Sequence, residues 1–200
     1  MRVLFIRHGE SEANYADVIV SHRGDPALTD RGRTEAQTMA DLWEGHTFAA
    51  VYSSPLARTR ETAAAFLRPG MTVRLDERLH EIALGRWDGW SIKDIEAVDK
   101  ERYLAWKADP ELGAPDGGEP LSAVGARIES FLADVRKNHG SGDLIAAATH
   151  SDCLKAVVLT VLHTPWSSAQ WLHFSNTAGI MVEWRGSDWN LIAHPVFPPI

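Results

Sequence analysis

The first fourteen residues, MRVLFIRHGESEAN (1–14), join an apolar run to an abrupt polar ending. Residues 2–7 are mainly apolar and do not alternate with polar residues, which predicts a strand that is buried on both faces, as in a parallel sheet. The strand ends in Arg7, His8 and Gly9. Burying the imidazole and the guanidinium in a core would leave both groups unpaired, so we expect them to face a functional site.

The whole sequence has the size and composition of an ordinary globular protein. At 200 residues, with 44% hydrophobic and 24% charged residues, it is long enough to bury a core without disulfides. Its single cysteine, Cys153, excludes an internal disulfide, which favours the cytoplasm. The net charge of -7 argues against nucleic-acid binding. No apolar run approaches the roughly 18 residues of a membrane helix, so no membrane partner is expected.

Predicted strands and helices alternate along the chain. This alternation indicates an α/β fold, a three-layer sandwich in which helices flank a mostly parallel central sheet. No repeat or linker divides the sequence, so we expect a single domain over 1–200, with an insertion-like specificity region at about 78–120. The predicted strands are 2–7, 49–52, 73–75, 144–148, 180–184 and 190–193, and the predicted helices are 30–43, 56–67, 92–98, 101–107, 121–135 and 153–162.

Polar clusters follow three of the predicted strands. Arg7 and His8 follow the first strand, residues 53–58 follow the second, and His150 follows the strand at 144–148. In an open α/β sheet the ligand crevice lies outside the carboxyl ends of the strands, so these clusters should converge. Two arginines and two histidines at one edge would form a pocket for a small anion, with phosphate the leading candidate.

Several motifs occur in a fixed order between residues 7 and 150. They are R-H-G-E-S with Asn14, L-T-D-R-G (28–32) with Ala36, S-S-P-L-A-R-T-R-E-T-A (53–63), L-H-E (79–81) with G-R-W-D-G (85–89), and His150 after an apolar strand. Together they resemble the histidine phosphatase superfamily, the phosphoglycerate mutase-like proteins with an Arg-His-Gly motif. Two positions depart from the common pattern: Glu35 replaces a glutamine, and Ser151-Asp152 follow His150 where many relatives have glycine.

The resemblance implies phosphoryl transfer with His8 as the nucleophile, through a phosphohistidine. Arg7, Arg58 and His150 would surround the phosphoryl oxygens, where charge lies during the transfer. Glu81 would protonate the leaving group and then activate water. Burial would raise the pKa of Glu81 and the arginines would lower it, and the sequence does not decide between these effects.

Three further residues are candidates for substrate binding: Asn14, Gly9 and Ser151. Asn14 would add a neutral donor to the phosphoryl oxygens. Ser151, as a departure from the common pattern, leaves the identity of the phosphorylated metabolite open. No cofactor and no metal are expected, because the arginines would supply the positive field.

Other residues of the same chemical types have plainer interpretations. Glu77 and Asp88 are competing acids, each less favoured than Glu81 by the motif spacing. A cysteine phosphatase would need an arginine six positions after Cys153, where this chain has Leu159. The remaining histidines are assigned to the surface, namely His22, His46, His80, His139, His163, His173 and His194.

Three functions remain open at this point. The favoured function is a metal-independent phosphatase of the histidine acid phosphatase type, which hydrolyses a phosphomonoester of a small metabolite and releases phosphate. The alternative is a phosphoglycerate mutase, which returns the phosphoryl group to the product. Mutases of this family are commonly longer, so a chain of 200 residues favours hydrolysis. The third is a non-catalytic protein that binds a phosphorylated ligand.

Two further expectations concern substrate and assembly. The segment 84–120, with Trp87, Trp90 and Trp106, would form the specificity wall, and its aromatic content suggests a substrate with some apolar surface. An exposed edge of the C-terminal hairpin allows a homodimer.

Overall fold

A computed structural model describes residues 1–111 and 115–192, and six strands within these ranges form one sheet. The strands are β1 (Arg2–Arg7), β2 (Ala50–Ser53), β3 (Val73–Leu75), β4 (Leu144–Thr149), β5 (Gly179–Trp184) and β6 (Trp189–Ile192). Their order is β3-β2-β4-β1-β5-β6. The first four are parallel, and β5 runs antiparallel to both β1 and β6. The predicted mostly parallel sheet is therefore confirmed.

Helices cover both faces of this sheet. They are α1 (Glu12–Tyr15), α2 (Asp30–Asp41), α3 (Ala57–Ala64), α4 (Ile92–Ala108), α5 (Leu121–Asn138) and α6 (Ser151–Val161). In β1, Val3 and Phe5 pack in the core with α5 and α6, whereas Leu4 and Ile6 pack with α2 and α3. Successive side chains of a strand point to opposite faces, so an unbroken apolar run produces the three layers. None of the helices in the described ranges is long and apolar enough to cross a membrane.

Several predicted boundaries differ from the structure. The helices expected at 92–98 and 101–107 form one helix, α4, which bends at Asp99 with φ -143° and ψ 33°. The carboxylate of Asp99 pairs with Arg86 and accepts the indole N–H of Trp87 at 3.0 Å, so a side-chain contact from outside the helix fixes the bend. Residues 112–114 of the insertion-like region, Ala193 and His194 lie outside the described residues.

The observed start of α6 differs from the predicted start, and this difference affects the site. The helix begins at Ser151, two residues before the predicted start, and His150 is its N-cap. Ser151 and Asp152 therefore lie in the first helical turn, whose backbone N–H groups have no partner within the helix. The two residues that depart from the family pattern thus stand at the carboxyl end of β4.

The strand register brings the predicted clusters to one edge. Arg7 pairs with Thr149 across β1 and β4, and Ser53 pairs with Ala148 across β2 and β4. The pairing continues for one more residue, because the His8 N–H donates to the Thr149 carbonyl at 3.0 Å. The polar residues that follow these three strands consequently leave the sheet side by side.

Candidate active site

A cavity of about 330 Å³ opens at the carboxyl edge of the sheet. Six of the residues predicted for the site line it, namely Arg7, His8, Asn14, Arg58, Glu81 and Ser151. His150 is fully buried and its ring centroid lies 5.3 Å from that of His8. The predicted arginines and histidines are thus gathered at one place, although they come from distant parts of the chain.

His8 is held in one tautomer by its own backbone neighbourhood. Its Nδ1 lies 2.7 Å from the carbonyl oxygen of Gly9. A carbonyl can only accept, so Nδ1 carries the proton and Nε2 keeps a lone pair. Burial, and then the positive charges of Arg58 and Arg7, hold the pKa of His8 well below its usual value. The imidazole is therefore neutral at physiological pH and nucleophilic at Nε2.

His150 contacts a cation on one side and a hydroxyl on the other. Its Nδ1 lies 3.4 Å from Nη2 of Arg58, and its Nε2 lies 3.0 Å from Oγ of Ser54. Because a guanidinium can only donate, Nδ1 is the acceptor and Nε2 donates to Ser54. Burial, followed by the charge of Arg58, holds the pKa of His150 well below its usual value. The positive charge at this end of the cavity therefore comes from the arginines.

Arg7 and Arg58 each have guanidinium N–H groups that no protein atom in the described ranges accepts. Nη1 of Arg7 donates to the carbonyl of Phe174 at 2.6 Å, and Nη2 of Arg58 donates to the carbonyl of Val20 at 3.0 Å. Nε of Arg7 and Nη1 of Arg58 are buried without a hydrogen-bond partner. Buried charged donors without partners are costly, and an anion in the cavity would satisfy them. The arrangement suits a phosphate or a carboxylate.

Glu81 is a carboxyl group whose pKa the structure raises. Its Oε1 accepts the backbone N–H groups of Ile82 at 3.0 Å and of Asp152 at 3.2 Å. Burial, and then the negative charge of Asp152, raise the pKa of Glu81 to about 7, against the opposing charges of Arg58 and Arg7. Burial therefore outweighs the arginines, which the sequence left undecided. A carboxyl group with this pKa can both give and take a proton near neutral pH.

The competing acids have structural partners elsewhere. Asp88 is buried and accepts the backbone N–H groups of Ser21, His22 and Arg23 at 2.7 to 2.8 Å. Burial alone would raise the pKa of Asp88, but these hydrogen bonds outweigh it and lower the pKa. The carboxylate of the exposed Glu77 accepts a hydrogen bond from Nε2 of His80 at 2.7 Å. Neither of these two acids lines the cavity, whereas Glu81 does.

A cysteine nucleophile and a metal centre find no support in the described part of the chain. The Cys153 thiol is fully buried, and burial raises its pKa to about 12, so it is not a nucleophile. Over residues 1–111 and 115–192, no three or more His, Cys, Asp or Glu side chains are grouped to bind a metal ion.

Asn14 and Gly9 have different positions. Oδ1 of Asn14 accepts from the Ser11 N–H and from Nδ2 of Asn176, each at 3.2 Å, which leaves Nδ2 of Asn14 as a donor for the cavity.

Gly9 does not line the cavity. A Cβ at Gly9 would lie 2.3 Å from the carbonyl oxygen of Gly32, so glycine is required for close backbone packing. Gly9 contacts His8 rather than the cavity.

Glu35 departs from the family pattern without changing the cavity. Its Oε2 accepts the backbone N–H of Glu10 at 2.9 Å, and its Oε1 pairs with Arg31 at 2.9 Å. The carbonyl oxygen of a glutamine could accept the same N–H. The replacement therefore retains the local hydrogen bond and adds an exposed ion pair.

The sequence analysis missed part of the cavity lining. Asp17 and His173, which we assigned no role and to the surface respectively, both line the cavity, as does Tyr103 of α4. Of the three tryptophans expected to form the specificity wall, Trp106 lines the cavity, whereas Trp87 is buried in the core. Local pattern gives no signal for these positions, because their place in the cavity depends on how segments far apart in the chain pack together.

Comparison with known proteins identifies relatives that are phosphatases. The profile of the histidine phosphatase superfamily (branch 1) matches residues 3–195. The adenosylcobalamin/alpha-ribazole phosphatase of Escherichia coli (strain K12) is 30% identical, and the match covers 95% of this chain and 91% of that protein. Phosphoserine phosphatase 1 of Hydrogenobacter thermophilus is 29% identical over 81% of this chain and 76% of that protein.

Solved structures agree on the fold. The structure of a mycobacterial glucosyl-3-phosphoglycerate phosphatase in complex with VO3 superposes with a TM-score of 0.88 and 27% sequence identity, covering 96% of each chain.

Proposed function

This chain belongs to the histidine phosphatase superfamily, and we propose that it hydrolyses a phosphomonoester of a small metabolite through a phosphohistidine at His8. The observation that carries the proposal is the state of His8. Its Nδ1 is bound to the Gly9 carbonyl, which leaves Nε2 with a lone pair in a cavity that also holds unpartnered guanidinium N–H groups. The names of related phosphatases give small phosphorylated metabolites as their substrates, which supports this substrate class.

In the first step, Nε2 of His8 attacks phosphorus. The N–P bond forms as the ester P–O bond breaks, and protonated Glu81 gives its proton to the leaving oxygen, which departs as an alcohol. Arg7, Arg58 and Nδ2 of Asn14 donate to the phosphoryl oxygens, so the charge of the transition state is met by donors that are already in place.

In the second step, water cleaves the phosphohistidine. Glu81, now a carboxylate, takes a proton from the water as its oxygen bonds to phosphorus, and the P–N bond breaks. Inorganic phosphate leaves, His8 returns to the neutral imidazole with its proton on Nδ1, and Glu81 is protonated again. The cycle requires a carboxyl group that is stable in both states, which agrees with its pKa of about 7.

We further propose that the activity is of the acid phosphatase type. The lowered pKa of His8 supports this, because the nucleophile then stays neutral below neutral pH. We also propose one domain over residues 1–200, a cytoplasmic location, and a homodimer through the outer edge of β6. Light scattering tests the dimer, and a truncation series followed by unfolding tests the single domain.

Trapping of the phosphoenzyme tests the central proposal. The protein is mixed with a ³²P-labelled aryl phosphate and quenched in base, where phosphohistidine survives. We expect label on His8, release of inorganic phosphate, and loss of both in His8→Ala, while His46→Ala, an exposed histidine outside the cavity, behaves as the unchanged protein. Undiminished hydrolysis by His8→Ala would overturn the mechanism. Transfer between the two monophosphoglycerates without phosphate release would support the mutase alternative instead.

A further inference from the structure

The part of the cavity beyond the arginines has an apolar and aromatic wall. Its side chains are Ile19, Val20, Leu84, Ile92, Tyr103 and Trp106. The rings of Tyr103 and Trp106 on α4 are stacked, with centroids 6.2 Å apart and an interplanar angle of 24°. Because Arg7 and Arg58 surround His8, this wall is what the leaving group of a bound phosphomonoester would contact.

The charge on this wall is negative. Asp17 and Asp152 both line the cavity. Burial, and then the carboxylates of Glu96 and Asp17, raise the pKa of Tyr103 against the opposing charge of Lys155, so Asp17 acts on the aromatic side chain of the wall. Lys155 pairs with Asp152 at 2.8 Å and offsets the charge of that carboxylate, so the negative charge of the wall comes mainly from Asp17.

The cations of the cavity lie at its other end. Among the described lining residues, Arg7 and Arg58 are the permanently charged cations, and both act on His8. They would be occupied by the phosphoryl group. A carboxylate on the leaving group would therefore lose water, find no cation of its own and be repelled by Asp17. A flat apolar group would instead gain contact area against the stacked rings.

We propose that the preferred substrate is a phosphomonoester whose leaving group is apolar or aromatic and carries no negative charge, so that phosphorylated acids are poor substrates. This inference rests on the proposed phosphatase function and deepens it by naming the substrate class. Asp17 and Trp106 are the residues that would determine this specificity.

Three substrates test the preference on the unchanged protein. Glycerol 3-phosphate and 3-phosphoglycerate differ in one group, a hydroxymethyl in place of a carboxylate. Benzyl phosphate has a phenyl ring in place of the dihydroxyethyl group of glycerol 3-phosphate. The leaving group of each of the three substrates is a primary alcohol. We expect kcat/KM to decrease from benzyl phosphate to glycerol 3-phosphate by about tenfold and again to 3-phosphoglycerate by about fivefold. Equal or faster hydrolysis of 3-phosphoglycerate would overturn the inference.

Two variants assign the preference to residues. Asp17→Asn is expected to raise the ratio of kcat/KM for 3-phosphoglycerate to that for glycerol 3-phosphate by about fourfold. Asp41→Asn, an equal change of charge at an exposed position outside the cavity, should leave the ratio unchanged. Trp106→Leu is expected to lower the ratio for benzyl phosphate to glycerol 3-phosphate by about tenfold. Each ratio is measured on one preparation, so it does not depend on the folded fraction.

The outcomes separate this inference from the function on which it rests. Labelled His8 with a preference for 3-phosphoglycerate, or ratios that neither variant changes, would overturn the substrate class and leave the phosphatase intact. No hydrolysis of any of the three substrates together with no label on His8 would overturn the proposed function, and this inference with it.

Discussion

Asp152 acts on Glu81 in two opposite ways: its backbone N–H lies 3.2 Å from Oε1 of Glu81, and its carboxylate raises the pKa of the same group. The N–H stabilises the charged form, whereas the carboxylate and burial stabilise the protonated form. Burial and the carboxylate prevail, and the pKa of Glu81 is about 7. The first turn of α6 therefore holds the carboxyl group of Glu81 in place and, together with burial, brings its pKa near neutral pH.

The pH dependence of hydrolysis should report this pKa. We expect kcat/KM to fall as the pH rises through about 7, because the leaving group then loses its proton donor. Asp152→Asn keeps the backbone N–H and removes the negative charge, while Arg7 and Arg58 still face Glu81. The alkaline limb of the pH profile of kcat/KM should move to lower pH in Asp152→Asn and should not move in Asp41→Asn. A limb that does not move in Asp152→Asn would contradict this electrostatic coupling.

Removing the carboxyl group should affect substrates according to their leaving groups. In Glu81→Gln we expect kcat/KM for glycerol 3-phosphate to fall by about 10² to 10³, because an alkoxide needs a proton donor. An aryl phosphate has a better leaving group, so its first turnover should persist as a burst and the phosphohistidine should accumulate. Rapid-quench measurements check both effects. Glu77→Gln, an exposed acid outside the cavity, is the matched control. Equal losses for both substrates would argue against Glu81 as the acid.

The same pKa predicts a cost in stability. The pKa of Glu81 rises from 4.5 to about 7 on folding, so between these values the folded protein holds a proton that the unfolded chain has released. The free energy of unfolding therefore falls as the pH rises through this window, and the loss is complete above it. Glu81→Gln should be more stable than the unchanged protein by about 2 kcal/mol at pH 7.5, a value reduced for partial solvent access, and equally stable at about pH 4. Urea unfolding at the two pH values measures this, and a difference that is the same at both would contradict it.

Close backbone packing at Gly9 predicts a sharp contrast between two glycines. Gly9→Ala would place a Cβ 2.3 Å from the Gly32 carbonyl oxygen, whereas Gly142→Ala would meet no atom within 4 Å. We expect Gly9→Ala to lower the free energy of unfolding by about 2 to 3 kcal/mol and Gly142→Ala to change it by less than about 0.5 kcal/mol. Gly9→Ala should also lower kcat, because the Gly9 carbonyl fixes the tautomer of His8. Similar unfolding midpoints for the two variants would refute the packing argument.

Glu35 offers a test of the other departure from the family pattern. Glu35→Gln retains an acceptor for the Glu10 N–H and loses an ion pair to Arg31, whose side chain is 74% exposed. Such a pair contributes little, so we expect a change in the free energy of unfolding of less than about 0.5 kcal/mol. Glu35→Ala leaves the N–H without its partner and should cost about 1 to 2 kcal/mol. Equal effects in thermal unfolding would show that the charge, not the hydrogen bond, matters.

Much of the fold was predictable because its signals are local. The apolar runs of β1 and β4 predict strands buried on both faces, and the polar residues that follow them predict the edge at which a site lies. The boundaries were less predictable. The bend of α4 depends on the contact of Asp99 with Trp87, and the early start of α6 depends on the first turn meeting Glu81. The hydrophobic periodicity of each helix predicts neither contact.

The sequence by itself determined the α/β architecture, the superfamily, and the residue types that gather at the cavity, because hydrophobic period and motif order are properties of neighbouring positions. Only the tertiary structure decided the tautomer of His8, the pKa of Glu81 and the negative aromatic wall formed by Asp17, Tyr103 and Trp106. These depend on distances and burial among residues far apart in the chain, such as Glu81 and Asp152. Electrostatic energies change steeply with both quantities, and no local pattern encodes either of them.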